Sequence, residues 1–293
     1  MIGVFDSGIG GLSVLKELIK VMPNQEYVYF SDNAFAPYGT KDLSFIQDRC
    51  RKITEFLLSK GAEMIVVACN TATAAAISLL REEYDIPFIG IEPAVKPAAY
   101  NSKTGVVGVM ATENTLNASK YQETLEKFAS NVKVVQRAGV GLVESVERGE
   151  LEGFKVERLI HNVVDDMLAA GADCIVLGCT HYPFLTEAIA KVVGNDITII
   201  NPAPAVAAQA QKVLAQSQKM LAQDVQILHE GQPIREVQSL PLSTSSQQSQ
   251  FLQDSHYYSI AGVVIYSSGQ LSDVVQQLLQ SFLNAPIPNS AKS

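Results

Sequence analysis

Short, continuous apolar runs alternate along this chain with longer stretches whose apolar residues recur at helical spacing. Ile2 to Phe5 predicts a strand, the turn Asp6-Ser-Gly-Ile-Gly-Gly11 comes next, and Leu12, Leu15, Ile19 and Met22 then mark a helix that Pro23 ends. Tyr27 to Phe30 predicts a second strand. After a Pro37-Tyr-Gly39 loop, Leu43, Ile46, Cys50, Ile53 and Leu57 form one stripe of a helix that Gly61 can close. Met64 to Ala68 and Phe88 to Ile91 predict two more buried strands, separated by the helix-prone segment Ala72 to Glu83. Strands and helices alternating in this way predict a parallel sheet covered on both faces.

The pattern then restarts. Gly105 to Met110, Lys133 to Gln136, Cys174 to Gly178 and Ile197 to Ile200 predict a second set of strands, and Val156, Leu159, Ile160, Val163 and Met167 predict a helix ending near Gly171. An internal repeat underlies the restart. Gly61-Ala-Glu-Met-Ile-Val-Val-Ala-Cys69 aligns with Gly171-Ala-Asp-Cys-Ile-Val-Leu-Gly-Cys179, and Ile86 to Ile89 with Ile197 to Ile200. The chain therefore reads as two copies of one α/β unit. The segment Leu214 to Ser255 is rich in Gln and Ser and predicts a loop, including Ser243 to Gln250. Ser259 to Tyr266 predicts one further strand, Val274 to Leu283 a closing helix, and the residues beyond Pro286 a loose tail.

Composition narrows the function classes. The 293 residues carry 22 Lys+Arg against 30 Asp+Glu, a net charge of −8, with no long basic run. Such a chain is a poor partner for nucleic acid or an anionic membrane. No stretch approaches the ~18 apolar residues of a membrane span, and the start MIGVFDSG lacks the pattern of a secretion signal, so a cytoplasmic protein is expected. The four cysteines, Cys50, Cys69, Cys174 and Cys179, contain no C-x-x-C pair and suit neither a disulfide framework nor a zinc site. Each is thus a core residue or a working thiol. Cys50 on its helix stripe and Cys174 inside a strand read as core.

Cys69 and Cys179 read differently. In parallel α/β sheets ligands gather at the carboxyl ends of the strands, and each of these thiols comes directly after a strand at equivalent points of the repeat. At a helix N-terminus a thiol is expected to ionise below its ordinary pKa of ~8.5. Two such thiols facing one cleft suit proton removal on one face of a carbon and proton delivery on the other. Asp6, at the end of the first strand, and His181, beside Cys179, can assist them. The glycines of Gly8-Ile-Gly10-Gly11 suggest a dinucleotide turn only weakly, because the third glycine of that pattern is replaced by Ser13.

Four motifs in order, Asp6-Ser-Gly-Ile-Gly-Gly-Leu12, Pro37-Tyr-Gly39, Ala68-Cys-Asn-Thr-Ala72 and Gly178-Cys-Thr-His-Tyr-Pro183, resemble those of the glutamate racemases of the aspartate/glutamate racemase family. The resemblance spans residues 2 to about 206. It implies two pseudo-symmetric parallel-sheet α/β domains with the active site between them: residues 1–94 with a C-terminal return over 205–293, and residues 95–204. It also implies interconversion of L- and D-glutamate without cofactor or metal, supplying D-glutamate for peptidoglycan. Carried over by position, Cys69 acts on the α-proton of D-glutamate and Cys179 on that of L-glutamate. Asp6, His181, Asp32 and Glu147 assist, and Asp6, Ser7, Tyr38, Gly39, Asn70, Thr71, Thr180 and His181 contact the substrate. The family usually has a Pro before its Val-Glu pair, and the segment here reads Val-Glu-Ser-Val-Glu, so Glu144 rivals Glu147. Family members often form homodimers.

Three other readings stay open on sequence alone. One is a racemase of aspartate or another amino acid. A second is a thiol hydrolase using Cys179 and His181, which leaves Cys69 without a purpose. The third is a two-lobed binding protein, which needs neither cysteine.

Overall fold

The structure, a computed structural model, describes residues 1–129, 131–229, 256–260, 263–270 and 276. Its first sheet has the order β4-β3-β1-β2-β10-β9, built from β1 (Ile2–Asp6), β2 (Tyr27–Ser31), β3 (Met64–Val67), β4 (Phe88–Gly90), β9 (His256–Ile260) and β10 (Val263–Ser267). All neighbours are parallel except β9 against β10. The second sheet, wholly parallel, has the order β6-β5-β7-β8, from β5 (Val106–Ala111), β6 (Lys133–Ala138), β7 (Cys174–Gly178) and β8 (Thr198–Ile200). Two parallel-sheet α/β units are thus present, and every strand expected before residue 201 is found.

The strands are apolar throughout because both faces of each sheet are covered. Successive side chains point to opposite faces. Val4, Tyr27, Tyr29, Met64 and Val66 enter one apolar cluster, and Phe5, Val28, Phe30, Ile65 and Val67 enter another on the far face. The first cluster continues through Leu12, Leu15 and Leu18 into Met110, Leu142, Ile160, Ile175 and Leu177 of the second unit. Cys50 and Cys174 are buried in apolar clusters, as core residues.

Two expectations about the C-terminal third need correction. The apolar run Ser259 to Tyr266 is not one strand but parts of two, β9 and β10, paired antiparallel; the sequence did carry a mark of the break, since Gly262 falls between them. The segment after Leu214 begins as helix, since the helix Ala203–His229 continues through it on good helix formers such as Ala, Gln, Lys, Leu and Met. This helix packs on Leu12–Val21 and its Gln211 Nε2 donates to the carbonyl of Val21 at 2.8 Å. The Ser/Gln-rich stretch 243–250, the tail beyond Pro286, and the expected helix over 274–283 except for Gln276 lie outside the described residues. β10 lies parallel to β2, so residues 263–267 join the first sheet.

Candidate active site

Cys69 and Cys179 leave β3 and β7 at equivalent points, and both line one small cavity. They are 4% and 5% exposed. The segments after the two cysteines differ. Cys69 caps the helix Asn70–Glu83, its sulfur accepting from the Ala72 N–H at 3.4 Å. Cys179 enters no α-helix directly: a 3-10 turn, Tyr182–Leu185, intervenes with Pro183 near its start, before the helix Thr186–Val193. The cavity is also lined by Ser7, Tyr38, Gly39, Asn70, Thr71, Thr180 and His181, by Pro37 of the same Pro-Tyr-Gly motif, and by Thr112 and Val143, which sequence reasoning missed. Thr112 had a usable signal, because it comes directly after β5 and so stands at the same carboxyl rim as Asp6 and the cysteines.

The first copy brings Asp6, Ser7 and Cys69 together. The Cys69 thiol lies 3.7 Å from Ser7 Oγ and can donate to it. Burial pushes this thiol well above its ordinary pKa, with the nearby Asp6 carboxylate acting in the same direction against the helix-end N–H. The expected lowering at the helix end is therefore reversed: desolvation outweighs one capping bond. Asp6 is fully buried, accepting from the Gly8 N–H and from Thr180 Oγ1, both at 3.1 Å. Burial raises its pKa too, while the positive charge of His181 opposes the rise.

On the second copy, His181 Nδ1 lies 3.8 Å from the Cys179 sulfur, and its Nε2 lies 2.6 Å from Glu147 Oε1. Burial disfavours the imidazolium, yet the hydrogen bonds to Cys179 and Glu147 win and hold the His181 pKa well above the usual value. Glu147 ends the short helix Leu142–Glu147, which starts at Gly141 with φ +83°, a conformation suited to glycine. The same Glu147 Oε1 accepts from the Ile9 N–H at 2.9 Å. Of the two rivals, Glu147 is the one bonded to His181.

The glycine turn after β1 is where the two units meet. A Cβ on Gly10 would collide with His181 Nδ1 and lie 2.6 Å from Thr180 Oγ1, and one on Gly8 would collide with Glu147 Oε1. The glycines at 8 and 10 thus serve close approach of the second unit. Ser13, in place of the third dinucleotide glycine, is tied into this packing: its hydroxyl sits within 2.8 Å of the Gly10 carbonyl and 3.0 Å of the Thr180 carbonyl, bonded toward protein rather than toward a phosphate.

Two further predicted residues stand apart in their bonding. Both side-chain atoms of Asn70, Oδ1 and Nδ2, are buried without a hydrogen-bond partner, and the residue lines the cavity. A buried amide left unsatisfied is costly, and a polar ligand would relieve it. Asp32 does not line the cavity. It is fully buried and accepts from Arg49 through both oxygens, at 2.6 and 2.8 Å, and from the hydroxyl of Tyr38. Thr71 Oγ1 joins Thr112 Oγ1 at 2.8 Å, a direct link between the two units at the cavity wall. Among the described residues no group of three or more His, Cys, Asp or Glu could hold a metal ion, and no helix is long and apolar enough to cross a membrane.

Comparison with known proteins matches residues 2–210 to a family described as Asp/Glu/hydantoin racemase. A glutamate racemase of Ectopseudomonas mendocina is 47% identical over 212 residues, which cover 72% of this chain and 81% of that protein. Among solved structures, Escherichia coli glutamate racemase, crystallised with L-glutamate and an activator, is 33% identical with a TM-score of 0.69, covering 73% of this chain and 82% of that one. The glutamate racemase of Campylobacter jejuni is 26% identical with a TM-score of 0.68 and covers 97% of this chain and 99% of its own.

Proposed function

The chain belongs to the Asp/Glu/hydantoin racemase family, and from that premise we propose how its pocket interconverts L- and D-glutamate. The observation that carries the reading is the pair of buried thiols, Cys69 and Cys179, set at equivalent strand ends on one cavity. Cys179 as thiolate takes the α-proton of L-glutamate, and Cys69 as thiol delivers a proton to the opposite face; the D-substrate runs through the same pair in reverse. The raised pKa of Cys69 supports its part as the donor in the L-to-D direction. His181, held protonated by Glu147, steadies the charge beside Cys179, whereas the Asp6 carboxylate favours the neutral thiol of Cys69 and so keeps a proton there for delivery.

Ser7, Asn70, Thr71, Thr180 and the Tyr38-Gly39 wall would hold the substrate. The unpartnered amide of Asn70 is the group best placed to bond a carboxylate or ammonium. Burial of this kind strengthens each such bond, since water is excluded. In the same reading the product D-glutamate feeds peptidoglycan synthesis in the cytoplasm, the protein acts as a homodimer, and its two domains are residues 1–94 with 205–293, and 95–204. Pairing of β10 with β2 supports that return.

The test is incubation of the purified protein with L-glutamate in deuterated water without added cofactor, with optical rotation and mass recorded together. Loss of rotation with one deuterium gained at Cα is the expected result. Racemisation of L-aspartate but not of glutamate would transfer the reading to the aspartate branch, and inertness toward both would overturn it.

A further inference from the structure

Behind Tyr38 lies a buried cluster of charged groups that the two-thiol reaction leaves unused. Asp32 comes just after β2, and its two oxygens take Arg49 Nη2 at 2.6 Å and Arg49 Nε at 2.8 Å, the fork-on-carboxylate geometry that arginine alone offers. The Tyr38 hydroxyl donates to the same carboxylate. Arg49 comes from the helix Leu43–Ser59, with its guanidinium 4.3 Å from the ring centre of Phe35. Tyr38 in turn lines the substrate cavity beside Pro37 and Gly39. Three elements therefore meet at one carboxylate, and only the tyrosine faces the cavity.

We propose that Asp32 and Arg49 are a positioning pair for the racemase pocket, acting through Tyr38, and that Asp32 transfers no proton in the reaction. A proton-transfer group must come within reach of the substrate and keep a lone pair for it. Asp32 lies off the cavity with both oxygens committed to Arg49 and Tyr38. What the pair supplies is orientation: a buried ion pair whose carboxylate also takes the Tyr38 hydroxyl fixes the Tyr38 ring and, through the chain, the Pro37–Gly39 wall. The inference deepens the racemase reading and rests on it.

The experiment compares the full-length protein with its Asp32→Asn, Tyr38→Phe and Arg49→Met variants and the double variant Asp32→Asn/Arg49→Met, recording kcat and KM for glutamate across pH. Asp32→Asn keeps an oxygen for Tyr38 but leaves the Arg49 charge without its carboxylate, so it should lower Tm, while the folded variant should show KM raised about 10-fold with kcat within about 3-fold and an unchanged pH profile, the signature of weakened binding. Tyr38→Phe should give the same split. Arg49→Met alone leaves a buried, unpaired carboxylate and is expected to be the worst variant, even unfolded; the double variant removes that charge and should regain fold and turnover relative to Arg49→Met. A kcat loss of about 100-fold or more in Asp32→Asn with a lost limb of the pH profile is the behaviour of a general base, and it would overturn the proposal. So would a double variant no better folded or more active than Arg49→Met. If the unmodified protein fails to racemise glutamate, the racemase reading falls and this inference with it, an outcome distinct from either of those.

Discussion

Glu147 Oε1 stands 2.6 Å from His181 Nε2 and 2.9 Å from the backbone nitrogen of Ile9, so one carboxylate oxygen joins the second unit's histidine to the first unit's glycine turn. Glu147→Gln should therefore lower activity by at least about 10-fold, as expected when an acid/base arrangement loses its charge partner. His181 sets the sign of the pH effect. Its folded pKa is raised, so the stability its cation contributes is complete below the unfolded value of ~6.5 and is lost as pH rises through the folded value. Without Glu147 that loss should move to lower pH. Thermal melts at several pH values, with NMR titration of the histidine, measure the shift.

Cys69→Ala and Cys179→Ala should each abolish racemisation, with losses of about 10²-fold to 10⁴-fold or beyond, while circular dichroism stays native. Near-normal turnover in either variant would sink the two-thiol mechanism. Full activity in Cys69→Ser alone would favour a hydrolase built on Cys179 and His181.

Asp6→Asn should stabilise the protein while it disables the site. Burial raises the Asp6 pKa, so the folded state holds the proton more tightly than the unfolded chain, and stability falls as pH rises through that interval. An amide removes the buried charge and can still accept from the Gly8 N–H. A gain of about 1 kcal/mol would lift Tm by about 2–4 °C in a chain of this size, readable by calorimetry alongside the activity assay.

Gly10→Ala tests the contact between the units. Its methyl group would press on His181 Nδ1 and Thr180 Oγ1, two groups of the second unit. Overpacking of this kind costs about 1–3 kcal/mol, and urea unfolding should show a lowered midpoint together with weaker glutamate binding.

The strands were legible because sheets covered on both faces demand unbroken apolar runs, and β1, β2, β3 and β7 are fully buried. The helices Val95–Asn101, Glu113–Asn117 and Ser119–Phe128 were not, since the first two are too short for a stripe to repeat and the third buries only Tyr121 fully. The cysteines stood out through the repeat, and Glu147 through family resemblance. Arg49 gave no signal: it sits on a helix whose apolar stripe explains the segment, and its partner lies in a loop after another strand. The helix-end argument also misjudged Cys69, because a sequence places a thiol at a helix end but says little about how deeply it is buried.

A single apolar cluster runs from Leu12 and Tyr29 in the first unit to Ile160 and Leu177 in the second. The two copies of the repeat thus share one core in addition to the cluster each keeps on its far face. Either unit expressed alone would carry an uncovered greasy face into solvent and self-associate, and the intact chain should melt as one cooperative body with no half-folded plateau.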